Sequence, residues 1–232
     1  MLARLRHRLA DQRGFTIVEV MLTCVLTLIV TGTSLAVLDR AYRHNAEVQQ
    51  RTESLQTARA TVDDLVRRLR SQVCLNSTTP PVVAASGQSV TFYSDYSDAV
   101  PTAYPERHVI SLNPTTGVLT DARYTSTTGL ADSYTLRDTR LIARNVSQVG
   151  AAPLLQFYGY DTATPPAATR ALNTNTVAVA TDELANVARI VVTLSARAGG
   201  KSAAKTASAA QDEVFVRLTN PNASDPSPRC TA

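Results

Sequence analysis

Residues 13–22 read Arg-Gly-Phe-Thr-Ile-Val-Glu-Val-Met-Leu, and they open an apolar run from Phe15 to Leu38 whose single charged side chain is Glu19. At 1.5 Å per residue, a helix over that run reaches about 36 Å, enough to cross a hydrocarbon core of about 30 Å. The segment reads as a membrane anchor. An ionised carboxylate at the middle of such a helix costs about 2.5–3.5 kcal/mol on insertion scales, so Glu19 needs either a partner or an exit to water. Snorkelling to the cytoplasmic interface is one exit open to an acid so near the membrane edge.

Charge is concentrated ahead of this run. Of the formal +4, the first 14 residues contribute +3, through Arg4, Arg6, Arg8 and Arg13 against Asp11. Little basicity is left for the remainder, which argues against nucleic-acid binding by a general basic surface, since phosphate-driven affinity needs clustered cations. Arginines before an apolar span stay in the cytoplasm, so everything after Leu38 is expected outside the cytosol. A conventional secretory signal has the same basic tip, but its apolar region runs only about 7–15 residues and ends in a small-residue cleavage site. Here the run is longer and meets Asp39 and Arg40 instead.

The order Arg13-Gly14-Phe15-Thr16-Ile17-Val18-Glu19 resembles the class III signal of type IV pilins and type II secretion pseudopilins: basic leader, glycine, phenylalanine, threonine, a glutamate at the fifth mature position, then an uninterrupted apolar helix. The resemblance implies that a prepilin peptidase cleaves between Gly14 and Phe15 and methylates the new amino terminus of Phe15. A glycine before the scissile bond offers no side chain to obstruct a protease at the membrane face. The resemblance further implies that Glu19 pairs with the N-terminal ammonium of a neighbouring subunit. Breaking a buried ion pair of that kind costs about 3–5 kcal/mol, which sets subunit register more than net stability. Thr23, Thr27 and Thr31 form a hydroxyl stripe that either packs on a neighbouring helix or bonds to the carbonyl four residues back.

Beyond Leu38 the helical pattern continues and becomes amphipathic. Val48, Leu55, Val62 and Leu69 are seven apart, with Ala58, Leu65, Val66 and Val73 beside them, which predicts one helix over about 15–73. Neither Pro nor Gly interrupts residues 33–73, and Asn76 to Pro81 ends the pattern. In the resembled family the second half of this helix packs on a globular head. The membrane half lacks the proline found in many major pilins and has only Gly32.

From about residue 82 the period changes to two. Predicted strands are Ser89–Ser94, Arg107–Leu112, Val118–Tyr124, Leu154–Tyr160, Val187–Ser195 and Glu213–Thr219. Ile190, Val192 and Leu194 alternate on one face, as do Val214, Val216 and Leu218, so each strand has a side to bury against the helix. Residues 196–211, rich in Ala, Gly, Lys and Ser, read as a flexible connection, and residues 161–176, with Pro165 and Pro166, as a loose loop.

Other candidate sites fail. Gly199-Gly200-Lys201-Ser202 lacks the first glycine of a phosphate-binding loop, since that position is Ser195. His7, His44 and His108 have no metal-ligand spacing. Asp63-Asp64 and Asp182-Glu183 are neighbours in sequence that do not converge on one substrate, and read as solvated charge. Asn76, Asn145 and Asn222 match a glycosylation pattern short enough to occur by chance. Among the cysteines, Cys24 lies in the anchor and behaves as a small apolar residue. Cys74 and Cys230 are both expected outside the cytosol, where they permit one intrachain disulfide; two unpaired thiols or an intermolecular bridge are the alternatives.

The expectation is thus an α+β, pilin-like chain, with a long N-terminal helix packed on a C-terminal antiparallel sheet. A leader covers residues 1–14, the membrane half of the helix 15–38, its amphipathic half 39–73, and an extracytoplasmic β-rich head 74–232. The implied function is assembly rather than catalysis, as a minor pilin or pseudopilin in pilus biogenesis, type II secretion or DNA uptake, without cofactor or metal. The length and the paired terminal strands are most similar to the J-type pseudopilins and W-type minor pilins. Implied partners are other pilin or pseudopilin subunits, the prepilin peptidase, the membrane, and an inner-membrane assembly platform with its ATPase. The alternative is a membrane-tethered ectodomain that binds or modifies something without entering a filament.

Overall fold

The structure, a computed structural model, describes residues 15–76, 79–95, 104–161, 167–197 and 207–216. One helix, α1 (Ile17–Arg70), runs through both compact units of the chain, Met1–Gln49 and Gln50–Ala232. Its start is capped by Thr16, whose hydroxyl accepts the Glu19 N–H at 3.3 Å. Arg67, Arg68 and Arg70 fill its last turn, where cations complement the helix dipole, and a bond from Ser71 N–H to the Arg68 carbonyl closes it. The helix therefore stops close to the predicted end.

The second unit holds two antiparallel sheets. The first runs in chain order through β1 (Val82–Ala85), β2 (Ser89–Ser94), β3 (Glu106–Asn113), β4 (Val118–Thr125) and β5 (Thr135–Ala143). The second has the order β10-β9-β7-β8, from β10 (Ser208–Phe215), β9 (Arg189–Ala196), β7 (Leu155–Gly159) and β8 (Arg170–Ala171), with β6 (Val146–Ser147) also on β9. A short 3₁₀ turn, Thr181–Asn186, precedes β9. The fold class is the expected one, a long N-terminal helix packed on antiparallel β-structure, with two sheets where a single one was expected.

Strands with a clean apolar alternation appear where the sequence places them, because each buries one face. Ile110 and Leu112 on β3, Leu119 on β4, Phe157 on β7 and Ile190, Val192 and Leu194 on β9 are buried, and they join Ala58, Val62, Leu65, Val66 and Leu69 of α1 in one core. The turn between β3 and β4 is fixed locally. Asn113 Oδ1 accepts from the N–H groups of Thr115 and Thr116, and Gly117 adopts φ 65°, a left-handed conformation that favours glycine.

Three expectations change. The last strand lies at Ser208–Phe215, not Glu213–Thr219, so residues 208–211 belong to a ladder running the length of β9 rather than to a flexible connection. Leu218 falls outside the described residues, while Val214 and Val216 are buried as expected. Within 161–176 the described residues are tied down. Arg170–Ala171 pairs with β7, and Asn173 is buried, giving its Nδ2 to the Leu155 carbonyl and accepting at Oδ1 from the Phe157 N–H. The Asn173 amide thereby takes the place of a strand backbone beside β7.

Candidate functional site: the N-terminal helix and its buried anchor

From Phe15 onward the first part of α1 is exposed on every side. Phe15, Ile17, Val18, Met21, Leu28, Val30 and Val37 each present more than 60% of their surface, and the apolar stretch is long enough to cross a membrane. A contiguous apolar surface of this extent marks a membrane or protein interface. Glu19 lies in the first turn, and among the described residues no side-chain hydrogen bond or ion pair reaches its carboxylate. Gly14, the predicted cleavage residue, lies outside the described residues. Within the helix, the Thr23 hydroxyl donates to the Val20 carbonyl and the Thr27 hydroxyl to that of Thr23, which is the local alternative for that stripe. Cys24 is a free, exposed thiol.

The second part of α1 is organised by charge that the sequence reading passed over. Arg68 is 4% exposed, and its Nη1 donates to Asp121 Oδ2 at 2.7 Å while its Nε donates to Asp64 Oδ2 at 3.0 Å. Asp121, completely buried on β4, also lies 3.0 Å from His108 Nδ1 on β3. His108 stacks on Phe92 of β2 and faces Glu106 at 3.8 Å from Nε2, and Glu106 accepts from Arg137 of β5 at 2.7 Å. Burying these groups is costly, and pairing offsets part of that cost. The sequence did carry a signal: Arg68 sits between Leu65 and Leu69 on the apolar face, and His108 and Asp121 alternate with Ile110 and Leu119 on inward positions.

His108 is therefore a buried histidine paired through Nδ1 to Asp121, while its Nε2 is buried without a hydrogen bond among the described residues. Among the described residues no cluster of three or more His, Cys, Asp or Glu could hold a metal ion. Asp64 is joined to Arg68 rather than merely solvated, and it lines an open groove of ≈ 320 Å³ with Thr57, Ala60, Thr61 and residues 142–144. Glu183 likewise departs from the solvated reading. Two bonds from Arg170, at 2.9 and 2.8 Å, and one from Asn186 pull its carboxyl down to about 2. Cys74 is in a disulfide, and its predicted partner Cys230 lies outside the described residues. The Gly199-Gly200-Lys201-Ser202 stretch also lies outside them.

No curated protein and no solved structure matches the chain. Residues 9–35 match the family described as the prokaryotic N-terminal methylation motif. That stretch takes in Gly14, Phe15 and Glu19 and the opening of the exposed apolar helix. The chain thus carries a prepilin-type methylation signal of the type IV pilin and pseudopilin kind, set at the head of a helix suited to anchoring it in a membrane.

Proposed function

We propose that the protein is a minor pilin or pseudopilin, built for assembly rather than catalysis. Prepilin peptidase cleaves between Gly14 and Phe15 and methylates the Phe15 amino group. The mature subunit waits in the inner membrane with its N-terminus on the cytoplasmic side and its head outside. An ATPase-driven platform then extracts it into a type IV pilus or pseudopilus beside other subunits. The observation that carries this reading is the coincidence of the methylation motif at 9–35 with an apolar helix exposed all round.

Glu19 supplies the assembly chemistry in this scheme. Cleavage creates an ammonium group at Phe15, and a neighbour's Glu19 carboxylate meets it inside an apolar filament core, where such a pair fixes register. The chain's length and its paired terminal strands favour the J-type or W-type class among minor subunits. Co-expression with an active prepilin peptidase, followed by intact-mass analysis, tests the reading. The expected product has lost 14 residues and gained a methyl group, and Gly14→Val abolishes the change. An unshifted wild-type mass would leave a membrane-tethered ectodomain outside any filament as the better account.

A further inference from the structure

The buried ion site at Arg68 does something that the apolar core around it does less well. The stripe of α1 against the sheets is Ala58, Val62, Leu65, Val66 and Leu69. Sliding the helix four residues, about 6 Å at 1.5 Å per residue, would seat Ser54, Ala58, Thr61, Val62 and Leu65 in those places. Valine replaces valine, leucine replaces leucine and serine replaces alanine, so three of the five seats keep nearly their native filling. The other two, alanine for Val62 and threonine for Leu65, become underpacked.

Charge discriminates far more sharply. The same slide carries Asp64 into the place of Arg68, opposite Asp121, which is completely buried. Two carboxylates would then share a dry site with only His108 between them, where the native register has an arginine donating at 2.7 Å. Like charges set against each other in a desolvated site are the strongest available penalty against a wrong arrangement. A slide of four in the other direction seats Gln72 there and leaves Asp121 without its guanidinium. Just past the helix, the Val73 N–H bonds to the Tyr93 carbonyl, Gln72 bridges Ser94 and Cys74 is in a disulfide, and these support the chain's exit from the helix without distinguishing charge from apolar filling at the Arg68 seat.

We infer that the Arg68–Asp121–His108 site is a register pin: it selects one of several near-equivalent seatings of α1 on the head, and its contribution is to uniqueness of docking more than to stability. Buried polar groups with this role are best attested where helices can slip past one another.

Distance measurements by pulsed electron resonance test this in the full-length chain in detergent. Nitroxides are introduced through unnatural ketone residues at Arg59 and Thr139, both exposed and both in the second unit, so that no cysteine is disturbed. The native chain is expected to give one narrow distance. Replacing the site by apolar residues, with Arg68→Met, His108→Leu and Asp121→Leu together, should keep cooperative unfolding but broaden or split the distribution. Moving the cation, with Asp64→Arg and Arg68→Leu, should create a second population displaced by about 6 Å, the length of four residues of helix. A single native distance in both variants would overturn the inference. So would loss of cooperative unfolding in the apolar variant, because the pin would then be carrying stability rather than register.

Discussion

The two ends of α1 treat charge in opposite ways. In its first turn Glu19 stands in an apolar run, and no partner reaches its carboxylate among the described residues. In its last turn Arg68 is buried and engages two carboxylates, one of them on a different element. Both positions put an ion where water is scarce, and the difference is where the counter-charge comes from. Arg68 is answered by the chain's own fold. Glu19 is answered by no side chain among the described residues, and on the proposed function its partner is the ammonium group that processing at Phe15 makes on another subunit.

That contrast predicts a clean separation of phenotypes. On the proposed function, Glu19→Ala should abolish incorporation into a filament while leaving the head's unfolding curve in place, measured by co-sedimentation and by denaturant titration of the same preparation. A change in head stability of more than about 0.5 kcal/mol, the usual range for substitutions far from any packed feature, would break the comparison. It would mean that Glu19 has an intrachain role after all.

At the other end the effect reverses. Asp121→Leu leaves Arg68 and His108 buried without their carboxylate, and removing one partner of a buried pair costs about 3–5 kcal/mol. For a unit of this size that is on the order of a 10 °C fall in unfolding midpoint. Arg68→Met with Asp121→Leu should recover a large share of the loss, because an apolar pair of similar volume needs no compensation. Failure to recover would show that the site stabilises the head by more than mutual neutralisation.

The contrast also marks what the sequence made legible. The signal and the exposed helix were readable because both are local: one depends on adjacent residues, the other on an unbroken apolar run. The strands β2, β3, β4, β7 and β9 were readable for a related reason, since each buries one face and alternates accordingly. The ladder partner β5 was not. It is an edge strand exposed along most of its length, so Thr135 to Ala143 carries no alternation to read. β10 was shifted because Ser208 to Gln211 has weak strand propensity and is held by pairing with β9, a long-range constraint. The ion site joins residues 53 apart in sequence, Arg68 and Asp121. Spacing rules find ligands that are near in sequence, and this site has none of that kind except Asp64.

The Arg68 site has an uncharged counterpart in Asn173, whose amide is hydrogen-bonded on both its donor and its acceptor side. Asn173 supplies both a donor to the Leu155 carbonyl and an acceptor for the Phe157 N–H. Asn173→Ala strands both groups in the interior, at about 1–3 kcal/mol for each unsatisfied group. Two such groups bound the loss at about 2–6 kcal/mol, and the lower part of that range is expected because no net charge is left unpaired. Hydrogen exchange at the Phe157 amide should rise more than at Ile190, its neighbour across the sheet. Equal acceleration at both would indicate general loosening instead.

The smallest expected effect comes from a charge pair at the surface, where water competes with the partner. Glu183 is held at about 2 against an ordinary value of 4.5, by Arg170 first and Asn186 second. A carboxyl whose folded value is depressed contributes stability that is fully present above its unfolded value and is lost as pH falls through the folded one. The contribution should therefore fade between about pH 4.5 and pH 2. Arg170 is 45% exposed and Glu183 29%, so solvent screening limits the pair to about 0.5–1 kcal/mol despite its bidentate geometry. Glu183→Gln should lower the unfolding free energy by that amount at pH 7 and leave it unchanged near pH 2. A loss comparable to that of Asp121→Leu would show that the loop from Arg170 to Asn186 is desolvated in the working molecule. In a filament subunit, that is the signature of a neighbour packed against it.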